Sequence, residues 1–290
     1  MTVAIGIDLG GTQLRAAVVS ADGEVLAHAG AMTASMDGPA AVIAQMADLV
    51  GQIAPGHDVR GVGIGAPGPL DAEAGVVVDA PTLLGWTDVP LVALAEARLG
   101  LPVRLDNDAN VAALAEWRFG AARGLRHLVY VTVSTGIGGG VIVDGRLMHG
   151  RGSQASEIGH MMITEAPVPC NCGGFGCWEA LASGTALGQR ATALGTLGRV
   201  TARDVARLAA EGNAEEARYL GLGFANLLHL YAPEMIVVGG GVAECLPAMR
   251  PGIEAVIQRQ AMLAYRDVPI VAAALGHRAG VIGAALLVLP

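Results

Sequence analysis

Apolar and polar positions along the chain fall into short alternating or continuous apolar runs punctuated by glycine, and these runs predict the elements. VAIGIDL (3–9) is apolar and β-branched and predicts a strand. Gly10-Gly11-Thr12 follows, then LRAAVV, the turn Asp22-Gly23 and EVLAH, a pattern that predicts a β-meander with tight turns. Residues 128–149 repeat the plan, with LVYVTVS as strand, TGIGGG as glycine turn, VIV as strand, Asp144-Gly145 as turn and RLMH as strand. Two copies about 125 residues apart imply two related domains. GPAAVIAQMADLVGQIA (38–54) has helical spacing with Pro39 near its start. VRGVGIGAPG (59–68) reads as a buried strand entering a turn, and VPLVALAEARLG (89–100) as a helix ended by Gly100. VRLDNDAN (103–110) is a strand that breaks into a polar turn ahead of the helix VAALAEWRFG. Thr201 with Asp204, and Asn213 with Glu216, are helix N-cap patterns. MIVVGGG (235–241) and VPIVAAAL (268–275) are strands, and 279–289 is the last helix. Strands alternating with helices predict an α/β fold. The domain boundary falls near 118–124.

The 290 residues suffice for a sizeable core. At 53% hydrophobic and 15% charged the chain is globular, and its net charge of −8 argues against nucleic acid or an anionic membrane as partner. No apolar run reaches 18 residues, so no spanning helix is expected. The N-terminus lacks a basic region and reads as a strand, not a signal peptide. All 18 basic residues are arginine. A P-loop lysine, a Schiff-base lysine and a protein-kinase strand lysine are therefore excluded. A GC-rich genome would also produce this usage.

Candidate chemistry concentrates in EIGHMMITEAPVPCNCGGFGCWE (157–179). His160 is followed by Cys170, Cys172 and Cys177 as C-x-C-x4-C, a donor set suited to tetrahedral structural Zn2+. Two disulfides are the alternative, although Cys170 and Cys172 are too close to pair easily and Cys245 is far away in sequence. Reduced thiols at a metal site fit a cytoplasmic protein. Glu157 and Glu179 flank the cluster. Three glycine turns each follow an apolar strand: Asp8-Leu9-Gly10-Gly11-Thr12, Ser134 to Gly140, and Gly239-Gly240-Gly241, the last opening a helix. Each could be an ordinary hairpin or turn; together they point to phosphate or nucleotide binding, with Asp8 able to hold Mg2+ through water. In Leu105-Asp106-Asn107-Asp108-Ala109-Asn110, any polar residue could be an N-cap, and only one of Asp106 and Asp108 need take a proton from a polyol hydroxyl.

In combination these motifs resemble the ROK family of sugar kinases, within the actin-like ATPase superfamily, and most of all its bacterial glucokinases. The resemblance runs through DLGGTQLR (8–15), GIGAPGPLD (63–71), LDNDANVAALAEW (105–117), STGIGGGVIVDG (134–145), EIGH (157–160), CNCGGFGCWEALASG (170–184), VVGGGV (237–242) and AGVIGAAL (279–286). It implies a two-domain, ribonuclease H-like fold of duplicated β-meander and helix domains with a cleft between them. Residues 1–120, completed by the C-terminal helix 279–290, would be the sugar and phosphate side, and 121–278 the zinc and nucleotide side. It implies Asp108 as general base and Gly68, Asn107, Glu157, His160 and Glu179 around the sugar. His160 would bind zinc through one ring nitrogen. Gly10, Gly11, Thr12, Thr135 and Gly136 would surround the phosphates, Gly240 and Gly241 the adenosine, and Asp8 would position Mg2+. ATP is the expected donor and glucose the expected hexose. Fructose, mannose, allose, an N-acetylhexosamine and polyphosphate are the alternatives. A homodimer or dimer of dimers is expected. A sugar-sensing repressor of the family is not, because the first strand begins at Val3. Gln13, Thr82 and Ser156 stand where relatives often carry Lys or Asn, Asn, and Gly respectively; Ser156 is expected to have little effect.

Overall fold

Residues 3–32 resolve into three antiparallel strands, β1 (Val3–Leu9), β2 (Gln13–Ser20) and β3 (Val25–Met32), in a computed structural model that describes residues 2–193 and 214–289. Helix α1 (Gly38–Ile53) follows, with Val42, Ile43, Met46, Leu49, Val50 and Ile53 on its buried face at helical spacing. Strand β4 (Val59–Ala66) pairs parallel with β1. Next come β5 (Leu70–Asp71), β6 (Val76–Asp79) and β7 (Thr87–Val89), a small antiparallel sheet that the alternation pattern did not foretell, because strands of two to four residues are too short to show a period. Helix α2 (Leu91–Leu99) ends at Gly100 in the left-handed conformation, φ +67°. Strand β8 (Val103–Asn107) pairs parallel with β4, and α3 (Asp108–Arg118) leaves it without a loop. The polar stretch expected as a turn is therefore the helix's own first turn, with Asn107 as N-cap. The sheet order is β3-β2-β1-β4-β8.

The same order recurs. β9 (Leu128–Val133), β10 (Ile137–Val143) and β11 (Arg146–Leu147) precede two short helices, α4 (Trp178–Ala182) and α5 (Gly184–Ala193). After them come α6 (Ala214–Tyr231), β12 (Met235–Gly239), α7 (Leu246–Gln260), β13 (Ile270–Ala272) and α8 (Ala279–Leu286). The second sheet runs β11-β10-β9-β12-β13, again with two parallel strands added to a meander strand. This is the duplicated α/β plan of the actin-like ATPase fold. Several boundaries differ from expectation, and the strand expected over 268–275 spans only Ile270–Ala272. Gly138–Gly140 lie inside β10, leaving only Ser134–Gly136 as the turn. Gly241–Cys245 forms a 3-10 turn before α7, so Gly239–Gly241 does not open an α-helix directly. The capping pair Thr201 and Asp204, and Asn213, lie outside the described residues. Among those described, no helix is long and apolar enough to cross a membrane.

The chain divides into two compact units, one of Met1–Arg123, Leu147–Ala155 and His277–Pro290, the other of Gly124–Arg146 and Ser156–Gly276. In the first, α1 packs its apolar face on Leu14, Ala16 and Val18 and their neighbours in β1. The opposite face takes α8 by direct backbone approach. A methyl group at Gly6 would stand 1.8 Å from the Val281 carbonyl oxygen, and one at Gly63 would stand 1.7 Å from that of Ala284. On its far side α8 meets α3 in the same way: a methyl at Gly283 would stand 1.6 Å from the Val111 oxygen. Three glycines thus lock sheet, α8 and α3 into one stack.

Gly63→Ala should therefore destabilise the first unit by about 3 kcal/mol or more, because the obstacle is backbone and has no rotamer to yield. The control is Gly51→Ala, inside α1, where an added methyl meets nothing. That change should stabilise by about 0.5–1 kcal/mol through lost chain entropy. Thermal melts of the two variants check the contrast; equal effects would contradict the packing account.

Candidate active site

In the first unit the register brings Asp8, Gly65 and Asp106 into one row across β1, β4 and β8, at the carboxyl ends of the three strands. Ligands of open α/β sheets bind outside such strand ends. The middle position has no side chain; a methyl at Gly65 would meet Val111 at 2.6 Å and the Asp108 Cα at 3.6 Å. The start of α3 therefore sits over Gly65, which sets Asp108 beside the row that carries Asp8.

The two candidate aspartates have different surroundings. Asp106 is 2% exposed. Its Oδ1 accepts hydrogen bonds from the Asn107 backbone N–H at 2.7 Å and from Asn110 Nδ2 at 2.8 Å, and its Oδ2 lies 2.7 Å from His149 Nε2. Both oxygens are thus committed to holding the β8–α3 junction. Asp108 is half-buried at the first helical position, where its Oδ1 accepts from the Ala109 N–H at 2.7 Å. The hydrogen bond to Asp106 raises the His149 imidazole above its usual value; partial burial opposes this and the Asp106 charge adds to it. Nothing local in the sequence signals His149, which reaches Asp106 from 43 residues away. Asn107 caps α3 through Oδ1, accepting from Ala109 N at 2.9 Å, while its Nδ2 would lie 3.3 Å from a methyl at Gly68. The Gly68–Pro69 peptide is cis.

Gly10, Gly11 and Thr12 form the β1–β2 hairpin. Gly10 N donates to Gln13 O at 3.0 Å, and Thr33 closes the turn from outside, its Oγ1 donating to Gly10 O at 2.7 Å. Thr82 stands over Gly11: a methyl there would meet Thr82 Cβ at 2.8 Å. Thr82 is exposed because its neighbours Leu83 and Trp86 are the residues that bury. Arg15 lies opposite Asp8 on β2 and donates to its Oδ2 at 3.1 Å. Burial pushes the Asp8 carboxyl above its ordinary range and the Arg15 charge pulls it back. A carboxylate at a strand end beside glycine N–H groups suits a hydrated Mg2+.

In the second unit Glu157, His160 and Glu179 interact. Burial raises the Glu157 carboxyl, His160 opposes this, and the Glu179 charge adds to the rise. Two glycines bring the 3-10 turn Ile158–His160 onto β10. A methyl at Gly139 would meet Ile158 Cδ1 at 2.4 Å, and one at Gly159 the Ile137 oxygen at 2.1 Å. That explains the glycine at position 139 within the strand. Glu179 comes from α4, anchored by Trp178, which is fully buried edge-on to Phe224 with centroids 5.5 Å apart. Glu179 Oε2 accepts from Ile137 N at 2.9 Å, and a methyl at Gly136 would stand 2.3 Å from that oxygen. Thr135 is tied to the start of α5, its carbonyl accepting from Thr185 Oγ1 at 2.8 Å. Gly240 has φ +81°, and a methyl there would meet the Val133 oxygen at 2.3 Å, so the turn with Gly241 lies against the end of β9. Ser156, expected to matter little, sits at φ +69° with its Oγ buried and without a partner among the described residues; a glycine there would remove both costs.

All four cysteines are free. The ligand atoms of His160, Cys170, Cys172 and Cys177 lie within 4.8 Å of one another. His160 Nδ1 is 3.7 Å from Cys170 Sγ, and Cys172 Sγ is 3.7 Å from Cys177 Sγ. A zinc tetrahedron with ordinary Zn–S and Zn–N bonds has edges of about 3.4–3.8 Å, so the donor set fits that ion.

The chain matches the ROK family over residues 4–290. It is 36% identical to the glucokinase of Halalkalibacterium halodurans over 311 aligned positions, which cover 98% of this chain and 94% of that one. Among solved structures, the ROK family glucokinase of Streptomyces griseus in complex with glucose and AMPPNP superimposes with a TM-score of 0.87 at 34% identity, covering 99% of each chain. The ROK hexokinase of Thermus thermophilus superimposes with a TM-score of 0.84 at 36% identity, covering 99% of this chain and 97% of that one. The motif resemblance, the repeated sheet order and these full-length matches agree: the chain belongs to the ROK family.

Proposed function

We propose that this protein is a glucokinase, transferring the γ-phosphoryl group of ATP to the 6-hydroxyl of glucose. The observation that carries the reading is the end-to-end likeness to the glucokinase solved with glucose and AMPPNP. The site geometry supports the residue roles that the family resemblance implies. Asp108 accepts the hydroxyl proton as the sugar oxygen bonds to the γ-phosphorus. The bond from that phosphorus to the bridging oxygen breaks, and its electron pair leaves with ADP. Asp106 is the positioning residue, since both its oxygens are already occupied. Asn107, Gly68, Glu157, His160 and Glu179 hold the remaining hydroxyls. The hairpins at Gly10–Thr12 and Thr135–Gly136 offer backbone N–H groups to the phosphates, and Gly240 with Gly241 receives the adenosine. Asp8 would position Mg2+, which when bound would supply positive charge against the phosphate oxygens. Phosphoryl transfer needs alignment and charge stabilisation above all, so the absence of lysine is no obstacle. The reading carries with it a cytoplasmic setting and a homo-oligomer.

Asp108→Asn should lower kcat by at least about 100-fold, the usual scale for a lost general base, with a much smaller change in glucose affinity. A coupled assay over a panel of hexoses with ATP and polyphosphate, alongside calorimetric glucose binding, reads both quantities. Near-normal turnover in this variant would move the base elsewhere, and faster turnover of another hexose would change the substrate.

One structural Zn2+ belongs at His160, Cys170, Cys172 and Cys177. His160 would bind it through Nδ1, leaving Nε2 for a sugar hydroxyl. The metal orders the loop 160–177 between Glu157 and Glu179. Cys172→Ala should therefore lose zinc and glucose binding while retaining nucleotide affinity. Metal analysis finding no zinc in active, chelator-free protein would refute the site, as would full activity in the variant.

A further inference from the structure

α8 lies over β1 and β4, at Gly6 and Gly63. The same sheet face continues outward across β2 and β3, and there it holds a cavity of about 260 Å3. The register explains its walls. Arg15 is opposite Gly30, and Ala17 is opposite His28, so Arg15 and His28 rise from the face that carries α8. Ala17 and Val281, both buried, form an apolar floor. His277 and Arg278 close the rim from the start of α8.

The charge pattern is one-sided. Two arginines and two histidines line the cavity, and no carboxylate does, in a chain whose net charge is −8. Arg15 is compensated by Asp8, whereas a merely solvated set would be expected to carry acids for the other three as well. His28, His277 and Arg278 are exposed and have no ion-pair partner among the described residues. The first N–H groups of α8 point out of the helix beside them, and no side chain caps them. The volume is below the ~300–1,000 Å3 usual for drug-sized ligands, so the occupant is smaller than a nucleotide. An alanine and valine floor offers nothing to sugar hydroxyls.

We infer that this cavity is a second ligand site, for a small organic anion with a phosphate or carboxylate head held by the arginines and an apolar body resting on Ala17 and Val281. Arg15 is shared: its Nη1 donates to Asp8 Oδ2 at 3.1 Å and its Nη2 to Gln13 Oε1, while the residue also lines the cavity. An occupant therefore shares a cation with the carboxylate assigned above to Mg2+.

Calorimetric titration of the full chain, with and without saturating glucose and AMPPNP, tests the inference. The probes are phenyl phosphate, benzoate and neutral benzyl alcohol. The expected result is saturable binding, one per chain, of at least one anion and none of the alcohol; the tighter anion identifies the head group. Arg278→Gln and His28→Gln should each weaken that binding by at least about tenfold while leaving kinase turnover and the melting temperature as in the parent. Neither residue belongs to the proposed catalytic set, so loss of kinase activity in the parent chain would sink the glucokinase reading without touching this one. The site is refuted if neither anion saturates by about 10 mM, or if both variants bind as the parent does.

Discussion

Backbone meeting backbone, with no Cβ between, is the constraint on which the rest of this structure depends. Gly6 and Gly63 let α8 descend onto the first sheet until its carbonyls occupy the space a methyl would need, and Gly283 lets α3 approach α8 as closely. The chemistry follows from that stack. α3 begins where β8 ends, so its height above the sheet sets the height of Asp108, and Gly65 leaves room beneath it. In the second unit Gly159 meets the Ile137 backbone in the same way, while Gly139 and Gly136 leave room for side chains, those of Ile158 and Glu179. Candidate site residues are thus placed by missing side chains elsewhere, and where the neighbour is backbone no rotamer change can relax the contact.

Around those contacts, the two neighbouring aspartates differ in how far their surroundings commit them. Asp106 is buried and bound by an amide N–H, Asn110 and His149. Leaving any of these partners unmet in a buried place would cost about 1–3 kcal/mol, which favours one geometry for the β8–α3 junction. Asp108, one residue into the helix, is half-buried instead. In the second unit four candidate metal donors, His160, Cys170, Cys172 and Cys177, lie within 4.8 Å of one another, with two pairs at 3.7 Å.

Much of this was legible in the chain. The alternation in 3–32 and 128–149 predicted both meanders, and the recurrence predicted the duplication. The spacing of His160, Cys170, Cys172 and Cys177 foretold their convergence. What stayed hidden depended on distant partners. The resemblance singled out Asp108, but the contact of His149 with Asp106 stayed hidden because no local pattern connects the two. Gly138–Gly140 read as turn because glycine favours turns; they lie inside β10, where Gly139 makes room for Ile158. Ser156 looked neutral until its φ of +69° showed why a glycine would sit better there.

Glucose affinity in Gly139→Ala tests the central claim most directly, because that glycine touches no proposed ligand and acts mainly by admitting Ile158, with the Ser156 carbonyl next nearest at 3.3 Å. With folding verified by circular dichroism, the account predicts that glucose binding falls by at least about tenfold while nucleotide affinity stays near the parent value. It also predicts that adding Ile158→Ala, which removes the atoms 2.4 and 2.6 Å from the new methyl, restores much of the loss. Unchanged glucose affinity in the single variant, or no recovery in the pair, would contradict it.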